Sequence, residues 1–158
     1  MTYRIRPFRV DDADAVAQVM SAAIQQIGPR AYSPEQVAAW RARHPGAERF
    51  VERFEAGDSI LVAVDTDDMP VAYALLESDG HLDHLYCHPH HTRRGLADRL
   101  LAEADRLANS LGADRLYTEA SELARAAFQR AGYRVLHRRD FELDGVPIHN
   151  FAMEKDIS

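Results

Sequence analysis

The stretch Leu85-Tyr86-Cys87-His88-Pro89-His90-His91-Thr92-Arg93-Arg94-Gly95-Leu96-Ala97-Asp98 constrains this chain more than any other. An apolar strand candidate ends there in a polar loop, and the loop runs into a helix that opens with two arginines and a glycine. A strand with a crossover helix calls for a second strand parallel to the first. The free N–H groups of a helix's first turn, with the positive end of its dipole, attract anions where no side chain blocks the approach. Gly95 and Ala97 leave that approach open, and Arg93 and Arg94 add fixed positive charge suited to phosphate. The same residues equally suit an ordinary crossover with two solvated arginines, so the flanking chain must decide.

Upstream, residues 60–64, 71–76 and 82–87 are strand candidates separated by Asp65-Thr66-Asp67-Asp68 and by Asp79-Gly80. Such short connections imply antiparallel neighbours, and Asp-Gly is a strong hairpin signal. Downstream, residues 93–111 place Leu96, Leu100, Leu101, Ala104, Leu107, Ala108 and Leu111 at helical spacing, closed by Gly112. Residues 115–120 read as the answering strand. The loop then lies at the carboxyl end of the first strand of a parallel pair, where ligands of open α/β sheets commonly bind.

The remaining chain supplies the covering layers. Tyr3 to Arg9 alternates as an edge strand, and an Asp-rich start leads into Val16, Val19, Met20, Ala23, Ile24 and Ile27 at helical spacing, stopped by Gly28-Pro29. Ser33-Pro34-Glu35-Gln36 is a capping box ahead of Val37 and Trp40, and His44-Pro45-Gly46 ends that helix. A short helix is expected over 47–56 and another over 122–131, capped by Gly132. Residues 133–143 and 146–153 pair across Asp144-Gly145. The sum is an α/β (α+β) fold with helices on the faces of one mixed sheet, in a single domain over residues 1–158.

A net charge of −6 argues against nonspecific binding to nucleic acid or acidic membrane, so any anion must be bound locally. The single cysteine, Cys87, excludes an intrachain disulfide and points to a reducing cytoplasm. The N-terminus carries no apolar run of signal-peptide kind, and nothing approaches the ~20 apolar residues of a membrane helix.

Thr92-Arg93-Arg94-Gly95-Leu96-Ala97 after Cys87-His88-Pro89 resembles the acyl-CoA motif of the GNAT superfamily of N-acetyltransferases, usually Q/R-x-x-G-x-G/A. Gly95 and Ala97 match; Thr92 stands where glutamine or arginine is commoner. Ile5-Arg6-Pro7 with its Asp-rich helix start is similar to the family's opening. Phe128-Gln129-Arg130-Ala131-Gly132-Tyr133 is similar to its late signature, with Phe128 replacing a tyrosine. The resemblance implies the GNAT fold: a mostly antiparallel sheet of about six or seven strands with a parallel pair joined by the CoA-binding helix. It implies that Leu85, Tyr86 and Cys87 face the pantetheine arm of acetyl-CoA, with the amides from Arg93 through Arg94, Gly95, Leu96 and Ala97 to Asp98 holding the pyrophosphate. It also implies a splay between this strand and the strand of Glu119. Ser121 aligns with a cofactor-contacting asparagine, and equally reads as the N-cap of the next helix.

Amine acetylation needs a neutral amine, and an alkyl ammonium with a pKa near ~10.4 therefore needs a base. Glu119, ending an apolar strand beside the expected cleft, is the leading candidate; a solvated or arginine-paired glutamate is the alternative. Asp83 and Glu77 are weaker candidates. Phe128 cannot protonate the leaving thiolate, although a thiol with a pKa near ~8.5 leaves without much help. His81, His84, His88, His90 and His91 invite a metal reading, but strand alternation sends His81 and His84 to opposite faces and no CxxC or HExxH accompanies them, so no metal is expected. Cys87 reads as a small buried residue rather than a nucleophile. Trp40, Tyr32 and Tyr73 are candidates to line the acceptor pocket.

The expectation is transfer of acetyl from acetyl-CoA to a primary amine by direct attack in a ternary complex, with a small-molecule acceptor favoured over a protein terminus. A noncatalytic acyl-CoA-binding or regulatory module is the alternative, supported by Phe128. The oligomeric state is open, a homodimer being one option.

Overall fold

The computed structural model describes residues 2–44 and 46–157. β1 (Arg4–Pro7) leads through a short 3-10 turn into α1 (Ala13–Ile27), and α2 (Pro34–Ala42) and α3 (Ala47–Glu55) follow. Then come β2 (Ser59–Val64), β3 (Pro70–Leu76) and β4 (Leu82–Cys87), a 3-10 turn at Pro89–His91, and α4 (Leu96–Ser110). β5 (Arg115–Ala120), α5 (Arg125–Arg130), β6 (Arg134–Leu143) and β7 (Val146–Asp156) complete the chain. The architecture is the expected mixed α/β class, but its strands divide into two antiparallel sheets, β1-β2-β3-β4 and β5-β7-β6.

Strand alternation explains the layering. Ile60, Val62, Val64, Tyr73 and Leu75 point to one face, where Val16, Val19, Met20 and Ile24 of α1 cover them. Ala63, Ala72 and Ala74 point to the other, where their small side chains admit Leu96 and Leu100 of α4. The second sheet turns Leu116, Ala120, Phe151 and Met153 onto Leu101, Ala104 and Phe128. α4 thus lies under both sheets and fixes their relation.

Local chemistry sets the boundaries. Ser33 Oγ accepts the Gln36 N–H at 3.2 Å while Gln36 Oε1 accepts the Ser33 N–H at 2.9 Å, the reciprocal cap expected from the sequence. Asp12 caps no helix with its side chain; its carboxylate accepts the Arg9 N–H and two bonds from the Arg6 guanidinium. Asp144 and Gly145, at φ 49° and 81°, make the tight turn that pairs β6 with β7.

Three expected boundaries move. α4 starts at Leu96 rather than Arg93, because Arg93 and Gly95 sit at φ 61° and 76°, outside helical geometry. Leu111, counted in its apolar stripe, falls past its end and is 48% exposed. The helix expected over 122–131 is shortened to Arg125–Arg130, since Ser121 to Ala124 form a turn. Pro45, part of the expected stop after α2, lies outside the described residues.

Candidate active site

β4 and β5 run parallel but touch only where they begin. One bridge joins His81 to Tyr117, the Tyr117 N–H donates to the Gly80 carbonyl at 3.0 Å, and the Thr118 hydroxyl donates to the Leu82 carbonyl at 2.7 Å. Beyond this apex no further β4–β5 pairing is found among the described residues, so the expected parallel pair is a single bridge opening into a splay. β4 is paired with β3 on one side. Its other edge, past Leu82, has no strand partner among the described residues, so its outward N–H and C=O groups face the cleft.

A cavity of about 150 Å³ lies in this region, with Leu85, Tyr86, Cys87, Ala97, Leu100 and Ser121 among its walls. A larger cavity of about 420 Å³ shares Trp40, Leu85, Tyr86, Ser121 and Ala124 with it. Of the expected acyl-CoA contacts, Leu85, Tyr86, Cys87, Ala97 and Ser121 are brought together on the smaller cavity. Arg93, Arg94, Gly95, Leu96 and Asp98 line neither. They form the adjoining loop and the first turn of α4, whose N-terminus carries no side-chain cap.

The loop leaves room above its backbone. A methyl group built on Gly95 meets no heavy atom within 4 Å, so the space above the loop is open. Leu96 is only 2% exposed, its side chain committed to the core, and can offer a ligand just its amide. Asp98 faces outward to Arg130 at 3.2 Å. Ser121 Oγ accepts the Ala124 N–H at 3.1 Å, so the capping role is realised on a turn while the residue also faces both cavities.

Glu119 lines the larger cavity at the apex of the splay. Its Oε1 accepts from His81 Nε2 at 2.8 Å, and His81 Nδ1 donates to Glu77. Burial lowers the His81 pKa, but the bonds to Glu119 and Glu77 outweigh it and lift the ring to about 9. His81 is therefore an imidazolium at neutral pH, giving one N–H to each carboxylate. Among the described residues nothing is bonded to Glu119 Oε2. Asp83 is held by Arg53 at 2.6 Å, and Glu77 is taken up by His81, which leaves these two less free than Glu119.

The histidines separate as alternation requires. His84 is buried against Phe50 and bonded to Tyr73 at 2.9 Å, and burial holds its pKa well below the usual histidine range. His88, His90 and His91 belong to the 3-10 turn beyond β4. His81, Asp83 and Glu119 do bring one potential ligand atom each within 4.8 Å of one another. In this structure both ring nitrogens of His81 are engaged by carboxylates, and Asp83 carries the Arg53 guanidinium.

Tyr32 and Trp40 line the larger cavity; Tyr73, fully buried, lines neither. Phe128 also lines it, and the Tyr133 hydroxyl five residues on reaches neither cavity, so it does not replace the missing phenol. Cys87 donates to the His91 carbonyl at 3.3 Å, and burial pushes its thiol up to about 11. Two further cavity residues, His44 and Arg139, are not foreseen from sequence. His44, its pKa lowered by burial, stands 3.5 Å from the Tyr86 hydroxyl, which also accepts from Trp40 at 3.2 Å. Arg139 lines the larger cavity from β6. Both positions depend on contacts between elements far apart in the chain, and no local pattern marks them.

Comparison with known proteins decides the family. Residues 29–155 match the acetyltransferase (GNAT) domain family. The chain belongs to the GNAT family. It is an N-acetyltransferase by class. A relative, the uncharacterized N-acetyltransferase YafP of Escherichia coli, is 27% identical over 150 residues, spanning 95% of this chain and 93% of that one. A GCN5-related N-acetyltransferase of Rhodopseudomonas palustris superposes with a TM-score of 0.89 at 31% identity, covering 99% of this chain and 96% of the other. The PaiA N-acetyltransferase of Thermoplasma acidophilum, solved in complex with coenzyme A, shares the fold with a TM-score of 0.79 at 19% identity and 99% coverage of both chains.

Proposed function

We propose that this GNAT chain moves acetyl from acetyl-CoA to a primary amine by direct attack within a ternary complex, with Glu119 as the base. The observation that carries the proposal is the splay itself. It joins an uncapped helix start, a free strand edge and an acceptor cavity whose apex holds a carboxylate with one unbonded oxygen.

Bound acetyl-CoA supplies the thioester carbonyl, whose C–S bond breaks as the amine nitrogen forms the new C–N bond. The amides from Arg93 to Asp98, with the dipole of α4, hold the pyrophosphate, and Gly95 leaves the room. The edge at Leu85, Tyr86 and Cys87 holds the pantetheine arm, beside Ser121. Glu119 Oε2 takes the ammonium proton, directly or through water. His81 fixes the carboxylate by its other oxygen. With phenylalanine at position 128, solvent protonates the departing thiolate, whose pKa near ~8.5 makes it a good leaving group. Burial keeps Cys87 a neutral thiol, so a covalent acyl-cysteine has no nucleophile. The reading places residues 1–158 in one catalytic domain working in the cytoplasm, with no metal, nucleic acid or membrane partner.

Release of free thiol from acetyl-CoA, measured across a panel of amines, tests this. Turnover with at least one amine is expected. Coenzyme A binding with no turnover on any acceptor would favour a noncatalytic acyl-CoA module, the reading that Phe128 supports.

A further inference from the structure

The acceptor cavity holds more positive charge than its own carboxylates neutralise. Arg53 is satisfied by Asp58 and Asp83, Arg49 by Glu52 at 3.0 Å, and Glu119 by His81. Two guanidinium groups on the cavity remain. Arg43, just past α2, and Arg139, on β6, have no carboxylate in salt-bridge contact among the described residues. The chain as a whole is at −6, so this excess is local.

Arg139 is positioned before any ligand arrives. Its guanidinium donates to Asn150 Oδ1 at 3.0 Å and lies 5.1 Å from the centre of the Phe141 ring. The residue is half-buried, and a guanidinium there without a counter-ion carries a desolvation cost that a bound anion offsets. Its remaining donors form a fork that matches two oxygens of one carboxylate or phosphate.

Register places this fork on the same side as Glu119. Glu119 pairs with Ala152 and Arg139 with Asn150, and Ala152 and Asn150 are alternate residues of β7. Paired and alternate residues share a face, so Glu119 and Arg139 rise from one face with β7 between them. Two inter-strand steps and two residues along the strand set their backbones on the order of 12 Å apart. Between two long side chains, that span suits a small molecule with its functional groups a few bonds apart.

We propose that the acceptor is an amine that also bears an oxyanion, a carboxylate or a phosphate, held by Arg139 with Arg43 adding charge, while its amine meets Glu119. The proposal rests on the acetyl-transfer reading above. An amine without an anion leaves Arg139 unpaired, and a polycation is repelled by both arginines.

Thiol release from acetyl-CoA with matched acceptors tests it: an amino acid against the amine lacking its carboxylate, and an aminoalkyl phosphate against the corresponding amino alcohol. The anionic member of at least one pair is expected to show kcat/KM higher by about tenfold or more, and the pair that responds separates carboxylate from phosphate. Arg139→Gln should remove most of that preference of about tenfold or more, chiefly through KM, and Arg139→Lys should restore only part of it. Turnover of amines with no preference for either anionic partner overturns the proposal and leaves acetyl transfer standing. A preference indifferent to Arg139→Gln overturns the assignment to Arg139. Absence of turnover on every acceptor removes the acetyl-transfer reading, and the proposal with it. The comparison of acceptors in the unmodified protein needs no variant to fold.

Discussion

At the scale of single residues, environment rather than residue type separates the reactive groups from the inert ones. Cys87 lies on the smaller cavity, yet burial pushes its thiol up to about 11, leaving almost no thiolate at neutral pH. Iodoacetamide at neutral pH is therefore expected to leave acetyl transfer unimpaired; rapid inactivation traced to Cys87 would contradict this. The sequence made Glu119 legible, because a lone carboxylate at the end of an apolar strand stands out. It did not reveal His81 as that carboxylate's partner, because the two are 38 residues apart and meet only where β4 and β5 touch. Arg139 stayed hidden for a related reason: on an exposed, arginine-rich strand it looks like its neighbours until Asn150 and Phe141 orient it.

At the scale of elements, the splay depends on a close backbone approach at its apex. Gly80, at φ 100°, has the Arg115 carbonyl oxygen 2.1 Å from where a Cβ would stand. The sequence marks Asp79-Gly80 as a hairpin turn, and it is one, but the demand for glycine also comes from the strand next to it. Gly80→Ala should destabilise the fold by on the order of 3 kcal/mol in denaturant unfolding; an unchanged midpoint would show that the apex yields. The start of α4 divides its work differently. Gly95 borders open space in left-handed geometry, whereas Arg94 adds only solvated charge. Gly95→Val should weaken coenzyme A binding more than Arg94→Ala does; the opposite order in calorimetry would assign the cradle to the arginines. Strand and helix types were largely readable from periodicity, because their apolar positions face real layers. The ends of α4 and α5 were not, because positive φ at Arg93 and the turn at Ser121 override helical propensity.

At the scale of the whole molecule, the two sheets share buried core residues but, among the described residues, are bridged strand to strand only at the apex, and His81 is one of the points that tie them there. Its folded pKa, raised to about 9, exceeds the ordinary value of 6.5. The stability it contributes is therefore fully present below pH 6.5 and is lost as pH rises through about 9. Thermal midpoints should fall over that window more steeply in the unmodified protein than in His81→Gln. Parallel falls would show that the charged ring adds nothing to the joint. The division into two sheets was beyond sequence reading, since both halves of a β–α–β unit look alike whether the strands stay paired or part after one bridge.

The central claim is that this splay presents an amine to acetyl-CoA with Glu119 as the base. Turnover of Glu119→Gln at neutral pH, on an acceptor the unmodified enzyme uses, tests it most directly. A loss of about 10²- to 10⁴-fold, with coenzyme A affinity retained and partial recovery as pH rises towards the amine's own pKa, is the predicted result. Near-normal turnover would remove Glu119 from the chemistry and contradict the account.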